Sequence, residues 1–164
     1  MSQPFTFRFA QPEDCQLILT FIRGLAEYEH LADEVVATPQ LLHEWIFEKK
    51  KAEVVFAEAE GKPVGFALFF HNFSTFLGRA GLYLEDLFVL PEERGKGYGE
   101  ALLRHLARTA LDWGCGRLEW ACLDWNRPSI DFYTKKMRAL PMEEWTTYRL
   151  TGETLEAAAR EKEG

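Results

Sequence analysis

Apolar and polar residues alternate at the start of the chain and then change to a helical spacing. Phe5, Phe7 and Phe9 are separated by polar residues, the two-residue period of a strand with one buried face. Pro12 follows, and the first turn of a helix tolerates this residue. The apolar residues that come next recur at helical spacing: Leu17, Ile18, Phe21, Ile22 and Leu25. The pattern predicts a strand followed by an amphipathic helix.

The middle of the chain predicts a helix, a hairpin and an apolar strand. Thr38-Pro39 is a helix start signal, and it precedes four apolar residues at helical spacing: Leu41, Leu42, Trp45 and Ile46. Two apolar runs flank a turn around Gly61 and Pro63 and predict a hairpin. A polar, aromatic loop follows, and then a largely apolar run that is typical of a central strand. The hairpin strands, the loop and the third strand are predicted over 54–59, 64–70, 72–78 and 82–90.

The second half of the chain alternates helices with short strands. Its longest helix is predicted over Gly97–Trp113, with Gly114 or Gly116 ending it. The remaining predictions are a strand over 118–123, a helix over 128–136, a strand over 146–150 and a C-terminal helix over 151–163. The order predicts an α/β fold with a mixed central sheet and helices on both faces. No linker or repeat divides the sequence, so a single domain over 1–164 is expected.

The composition and net charge indicate which kinds of partner the protein can bind. The 164 residues carry a formal charge of −7, with 47% hydrophobic and 27% charged residues, which is typical of one globular domain. Acidity argues against nucleic acid, because phosphate binding rests on a basic surface. It is compatible with a cationic small substrate, although many proteins are this acidic for solubility alone.

Compartment and membrane contact can also be predicted. No apolar run approaches the roughly 20 residues of a membrane helix, so no membrane partner is expected. The first residues lack the basic and apolar segments of a secretory signal. Cys15, Cys115 and Cys122 have no metal-ligand spacing and suit a reducing compartment. We expect a cytoplasmic protein without a metal.

Three alternate glycines precede the longest predicted helix. Gly95, Gly97 and Gly99 follow Arg94 and surround Lys96. Glycine permits unusual backbone angles, and a helix N-terminus offers N–H groups and partial positive charge to a pyrophosphate. A nucleoside-triphosphate loop is excluded because Lys96 is not followed by Ser or Thr. The alternate spacing excludes a dinucleotide-binding turn, and a turn that only reverses the chain remains the alternative.

These residues resemble a known family. Arg94-x-x-Gly97-x-Gly99 after an apolar strand is similar to the acyl-CoA pyrophosphate loop of the GNAT acetyltransferases. An ordered set of segments across roughly residues 5 to 150 resembles the diamine (spermidine/spermine, thialysine) N-acetyltransferase branch. The segments are Asp14-Cys15, Leu25–Glu29, Val64–Ala67, Tyr83–Asp86, Trp125–Tyr133 and Glu144–Leu150.

The resemblance implies a GNAT fold whose central strands, 82–90 and 118–123, splay apart into a slot for acetyl-CoA. The first of these strands would carry a bulge, and acetyl-CoA would be the co-substrate. The Leu87 N–H would donate to the thioester oxygen. The residues expected to bind the cofactor are Leu87, Phe88, Val89, Arg94, Gly95, Lys96, Gly97, Tyr98, Gly99, Asn126 and Tyr133.

The resemblance also implies that an amine attacks the thioester directly. Tyr133 matches the general acid that protonates the departing thiolate, and Glu85 matches the carboxylate that accepts the amine proton through water. Strand alternation predicts that Glu85 and Asp86 point to opposite faces. A packing role for Tyr133 beside Phe132, and a solvated acidic pair, are the alternatives.

One position departs from the family. A glycine usually ends the helix after the catalytic tyrosine, whereas this chain has Lys135-Lys136-Met137-Arg138-Ala139. Without glycine, the helix is expected to run on or to end in a less favourable turn.

The expected substrate is a small primary amine, either a polyamine or diamine or a lysine-like molecule. Carboxylates with aromatic walls suit an alkylammonium chain. The resemblance places these residues at the acceptor site: Tyr28, Glu29, Glu85, Asp86 and Trp145. Acetylation of a protein or peptide amine, and a non-catalytic acyl-CoA-binding module, are the alternatives. A homodimer is expected from the family.

Overall fold

A computed structural model describes residues 5–160, which form two compact units divided between Leu123 and Asp124. The first unit contains five strands and three helices. Its elements are β1 Phe5–Phe9, α1 Cys15–Tyr28, α2 Pro39–Leu42, β2 Glu53–Ala59, β3 Lys62–Ser74, β4 Arg79–Val89, α3 Tyr98–Asp112 and β5 Leu118–Trp120. A π-helical stretch, His43–Glu48, continues α2.

The strands form one mixed sheet in the order β1-β2-β3-β4-β5. Neighbours from β1 to β4 are antiparallel and β5 is parallel to β4. The α3 helix connects β4 to β5, because parallel strands need a crossover connection. The predicted mixed sheet is confirmed. The strand predicted over 82–90 has a neighbour on each side, although β3 is the middle strand of the five.

Helices cover both faces of the sheet, as predicted. On one face, which we call the α1 face, the Phe21 ring lies 5.2 Å from that of Phe66 and 6.4 Å from that of Phe88. On the opposite α3 face, the Phe7 ring stacks on His105 of α3 at 4.1 Å. Gly24 lets α1 approach the sheet, since a Cβ atom there would lie 2.6 Å from the Phe88 ring. Helices therefore pack against the sheet from both sides.

Several strand boundaries differ from the sequence prediction, most of all at one loop and one strand end. The predicted loop 72–78 is shorter, because its first residues continue β3 and pair with β4 down to Ser74 and Arg79. The predicted strand 118–123 stops at Trp120, where its pairing with β4 ends. The long helix was predicted to within one residue at each end, and Gly114 follows it with a φ of 74°. None of the helices within residues 5–160 is long and apolar enough to cross a membrane.

The second unit holds the remaining helices. Helix α4, Arg127–Asp131, continues as a π-helical stretch over Phe132–Lys136, and α5 covers Gly152–Arg160. The last residues of the helix predicted over 151–163 lie outside the described part of the chain. The strand predicted over 146–150 is wrong: these residues are exposed and form no ladder. A strand needs a neighbour for its backbone groups, and the described chain supplies none there.

The helix that carries Tyr133 ends in a strained turn, as the missing glycine predicts. Arg138 adopts a φ of 58°, in the left-handed region that favours glycine. The Ala139 N–H donates to the Tyr133 carbonyl at 2.9 Å and closes the helix. The helix therefore stops without glycine, at the backbone cost of a non-glycine residue in this conformation.

Candidate active site

A β-bulge interrupts β4 at Glu85. Leu68 of β3 pairs with Asp86 while the next residue, Phe69, pairs with Leu84, so Glu85 is the extra residue on β4. A bulge bends its strand and redirects the side chains around it. The bulge expected from the resemblance is thereby confirmed, at the residue expected to accept the amine proton.

The bulge places Glu85 and Asp86 on the same face of the sheet, so the prediction of opposite faces is wrong. Before the bulge, Tyr83 lies on the α1 face, where its ring is 5.3 Å from that of Phe70. Strand alternation then returns Glu85 to that face. Beyond the bulge, Phe88 packs on α1, so Asp86, two residues earlier, shares its face. Both carboxylates therefore point to the α1 face.

Three carboxylates gather on this face. Burial, together with the charges of Glu85 and Glu29, raises the pKa of Asp86 to about 6. Burial and then the Glu85 charge raise the pKa of Glu29, which follows the last residue of α1. Glu85 itself is exposed. Desolvated like charges of this kind favour a cation among them.

Within residues 5–160, no strand pairs with the far edge of β4 beyond the bulge. The last ladder pair between β4 and β5 joins Leu84 to Trp120, while β4 continues to Val89. The Leu90 N–H donates to the Val64 carbonyl of β3 at 2.9 Å. Because hydrogen-bonding direction alternates along a strand, Leu87 and Val89 direct their N–H and C=O groups to the opposite edge. The end of the ladder therefore leaves this part of β4, which was expected to bind the pantetheine arm, without a strand partner on that edge.

The glycine turn leads from this edge into α3. Gly95 and Gly97 have φ angles of 82° and 86°, and Gly97 is the N-cap of α3. A Cβ atom at either glycine would meet nothing within 4 Å. The turn therefore needs glycine for its backbone conformation rather than for close packing. A Cβ atom at Gly99 would be 3.8 Å from both Leu87 and Val89.

Arg94 joins the turn to the end of β4. Its Nε donates to the Val89 carbonyl at 3.1 Å. Its guanidinium lies 5.0 Å from the Tyr28 ring and 5.1 Å from the Phe88 ring. The structure thus brings Tyr28, expected at the acceptor site, beside the turn expected to bind the cofactor.

Two other predicted cofactor residues have partners within the protein. The Lys96 ammonium pairs with Glu93 at 2.8 Å, which balances its charge. The Tyr98 ring stacks on Phe5 of β1 at 4.8 Å. Because the Lys96 and Tyr98 side chains have these partners, we expect the backbone N–H groups of the turn to bind an anion.

The second unit carries the other predicted site residues. Asn126 is buried and is the N-cap of α4, where its carbonyl accepts from Ile130 at 3.0 Å. Tyr133 lies in the π-helical stretch, with its ring 5.6 Å from Phe132. Trp145 is 77% exposed and lies in a turn.

The sequence analysis missed a polar group beside the carboxylates. The Glu119 Oε1 atom accepts a hydrogen bond from Asn72 Nδ2 and forms an ion pair with Arg117 Nε, each at 3.2 Å. Glu119 pairs with Tyr83 across the parallel ladder. No local sequence motif could reveal this group, because β3, β5 and the turn before β5 each supply one of its three residues.

Comparisons with known proteins show which family the chain resembles. A model of the family described as "Acetyltransferase (GNAT) family" matches residues 19–137. The chain is 38% identical to a thialysine N-epsilon-acetyltransferase from Bos taurus, over 93% of this chain and 95% of that protein. It is 31% identical to spermidine/spermine N(1)-acetyltransferase-like protein 1 from Homo sapiens, over 92% of this chain and 23% of that protein.

A solved structure has the same fold. It is an integron cassette protein from the mobile metagenome of V. cholerae, with a TM-score of 0.79 and 30% sequence identity. The similarity covers 98% of this chain and 99% of that one.

Proposed function

The chain belongs to the GNAT acetyltransferase family and is an N-acetyltransferase of small-molecule amines, and we propose that it takes the acetyl group from acetyl-CoA. The acceptor in this proposal is the primary amine of a diamine, polyamine or lysine-like molecule. The observation that carries it is the bulge at Glu85. It sets carboxylates on one face of β4 directly beside an open backbone edge.

The open edge and the turn bind the acetyl donor. The backbone groups of Leu87 and Val89 pair with the pantetheine arm as an added strand would. The turn Gly95–Gly99, at the start of α3, holds the pyrophosphate with backbone N–H groups. Arg94 already occupies the Val89 carbonyl, so it exchanges this contact for the donor's phosphates. Phe88 packs beneath the edge, and Asn126 contacts the arm.

The acidic α1 face binds and activates the amine. Glu29 and Asp86 hold the ammonium, and Glu85 accepts its proton through water. The N–H of Leu87 donates to the thioester oxygen as negative charge develops there. Tyr133 then protonates the departing thiolate. This sequence of steps uses no metal.

The assembly belongs to the proposal as well. We propose a cytoplasmic homodimer with no nucleic-acid or membrane partner, built from one domain over the whole chain. Exposed apolar side chains in the second unit support the dimer, since such surface is typical of an interface: Leu140, Met142, Trp145, Tyr148 and Leu150. Sedimentation equilibrium of the full chain tests it, and a monomer at micromolar concentration contradicts it.

Release of free CoA tests the reaction directly. The purified chain is incubated with acetyl-CoA and, separately, with diamines, polyamines, lysine-like amino acids and lysine-containing peptides. We expect release with small amines and little with peptides. Turnover of peptides alone would favour a protein acetyltransferase. Binding of acetyl-CoA without any turnover would favour a binding module.

Gly97→Ala is expected to weaken acetyl-CoA binding by about 10-fold, because a left-handed alanine costs about 1–2 kcal/mol and shields the turn's N–H groups. Titration calorimetry with acetyl-CoA measures this. Gly61→Ala is the matched control, since Gly61 has a φ of 77° in a hairpin turn and nothing within 4 Å of its Cβ position. Equal loss of acetyl-CoA affinity in both variants would contradict a role for the turn.

A further inference from the structure

Arg117 and Glu119 form an ion pair beside the acceptor carboxylates. The Arg117 Nε atom lies 3.2 Å from Glu119 Oε1, and Asn72 donates to the same oxygen. Tyr83 lies between this pair and the bulge, because it pairs with Glu119 across the ladder and precedes Glu85 by two residues. Burial, and then the charges of Glu85 and Glu119, raise its pKa. The pair therefore shares the α1 face with the three carboxylates of the acceptor site.

Both members of the pair can reach a ligand. The side chains of Arg117 and Glu119 are 40% and 36% exposed. Within residues 5–160, the terminal guanidinium nitrogens of Arg117 and the Oε2 atom of Glu119 have no recorded partner. One donor group and one acceptor group therefore remain available side by side.

Gly81 makes room for this arrangement. A Cβ atom at Gly81 would lie 2.7 Å from Asn72 Oδ1 and 3.2 Å from Arg117 Cγ. Asn72 and Arg117 thus pack over a bare stretch of β4 backbone. Asn72 in turn fixes Glu119 through its amide nitrogen. The pair is held by neighbours on two strands, β3 and β4.

The distance between Glu85, at the reacting end of the acceptor site, and the Arg117–Glu119 pair suits a basic amino acid. Glu119 pairs with Tyr83, two residues before Glu85 and one strand across. These steps place the backbone positions of Glu85 and Glu119 about 8 Å apart. This is comparable with the span of an extended lysine from its side-chain nitrogen to its α-carboxylate oxygens, and ornithine is one bond shorter.

We infer that Arg117 and Glu119 determine specificity by binding the α-carboxylate and the α-ammonium of a basic amino acid whose side-chain amine is acetylated. This inference rests on the proposed function. The carboxylates at the bulge repel a substrate carboxylate, and the Arg117 guanidinium is the cation that compensates it. A diamine gains nothing from Arg117, since it has no carboxylate for the guanidinium to bind, and only its second ammonium can pair with Glu119.

Matched substrate pairs test the inference. Steady-state rates are measured for ornithine against putrescine and for lysine against cadaverine, which differ by the carboxylate. We expect the wild type to prefer each amino acid by about 10-fold or more in kcat/KM. Arg117→Gln removes this preference by raising KM for the amino acids, with diamine rates and kcat little changed. Arg117→Lys, which keeps the charge, restores part of it.

Arg108→Gln is the control, because Arg108 is an exposed arginine on α3. Equal kcat/KM for amino acids and diamines in the wild type would overturn the inference and leave the proposed function intact. An equal loss on both substrate series in Arg117→Gln would also overturn it, as a structural effect. Turnover of neither series would overturn the proposed function itself.

Discussion

Tyr133→Phe is expected to slow acetyl transfer by about 10²-fold or more while acetyl-CoA binding stays nearly unchanged, as loss of a general acid does. The substitution removes one hydroxyl and keeps the ring, which lies 5.6 Å from Phe132. Packing of the π-helical stretch is therefore preserved. Single-turnover kinetics report the transfer step, and calorimetric titration reports the binding of acetyl-CoA.

Tyr148→Phe is the matched control for this prediction. Tyr148 lies in the same unit and is 91% exposed, so loss of its hydroxyl should leave the rate unchanged. A wild-type single-turnover rate in Tyr133→Phe would remove Tyr133 from the mechanism. A parallel loss of acetyl-CoA affinity and rate would instead assign it to cofactor binding.

The first strand and the long helices could be predicted because their residues obey one period over their whole length. Phe5, Phe7 and Phe9 alternate, and β1 has the predicted bounds. The stripe on α3, which includes Leu102 and Leu106, is buried against the sheet. In such elements local preference and burial agree, so the sequence pattern is sufficient.

The bulge shows where alternation misleads. Two consecutive polar residues, Glu85 and Asp86, stand between Leu84 and Leu87, so one apolar face cannot continue through them without an extra residue. That interruption is a signal in the sequence. Strict alternation nevertheless predicted opposite faces, and only the pairing with β3 settles that both carboxylates share one face.

Features that depend on distant partners could not be predicted. The run Thr146–Leu150 has the composition of a strand, but a ladder requires a neighbour that composition does not reveal. Asn72, Arg117 and Glu119 meet because β3, β4 and β5 adopt one register. Such clusters follow from topology, which is fixed only when the sheet is assembled.

Asp86→Asn is expected to stabilise the protein by about 2–3 kcal/mol at pH 8 and by little at pH 4. The pKa of Asp86 rises from 3.8 to about 6 in the folded chain, through burial and then the charges of Glu85 and Glu29. Between these values the folded state binds more protons than the unfolded state. Stability present below about pH 4 is therefore lost as the pH rises through 6. Asparagine has no such ionisation, and thermal unfolding across this pH range measures the difference.

The same variant should lose activity, because the ionised Asp86 that destabilises the fold is the group that holds the ammonium. We expect kcat/KM of the wild type to fall below about pH 6, as Asp86 takes up its proton, and this dependence to weaken in Asp86→Asn. The exposed Asp33 supplies the control, since Asp33→Asn should change neither property. A variant that gains stability at pH 8 and keeps full activity would place Asp86 outside the acceptor site. If Asp86→Asn loses activity without gaining stability at pH 8, the ionised Asp86 carboxylate does not destabilise the folded protein. That result would contradict the raised pKa of Asp86.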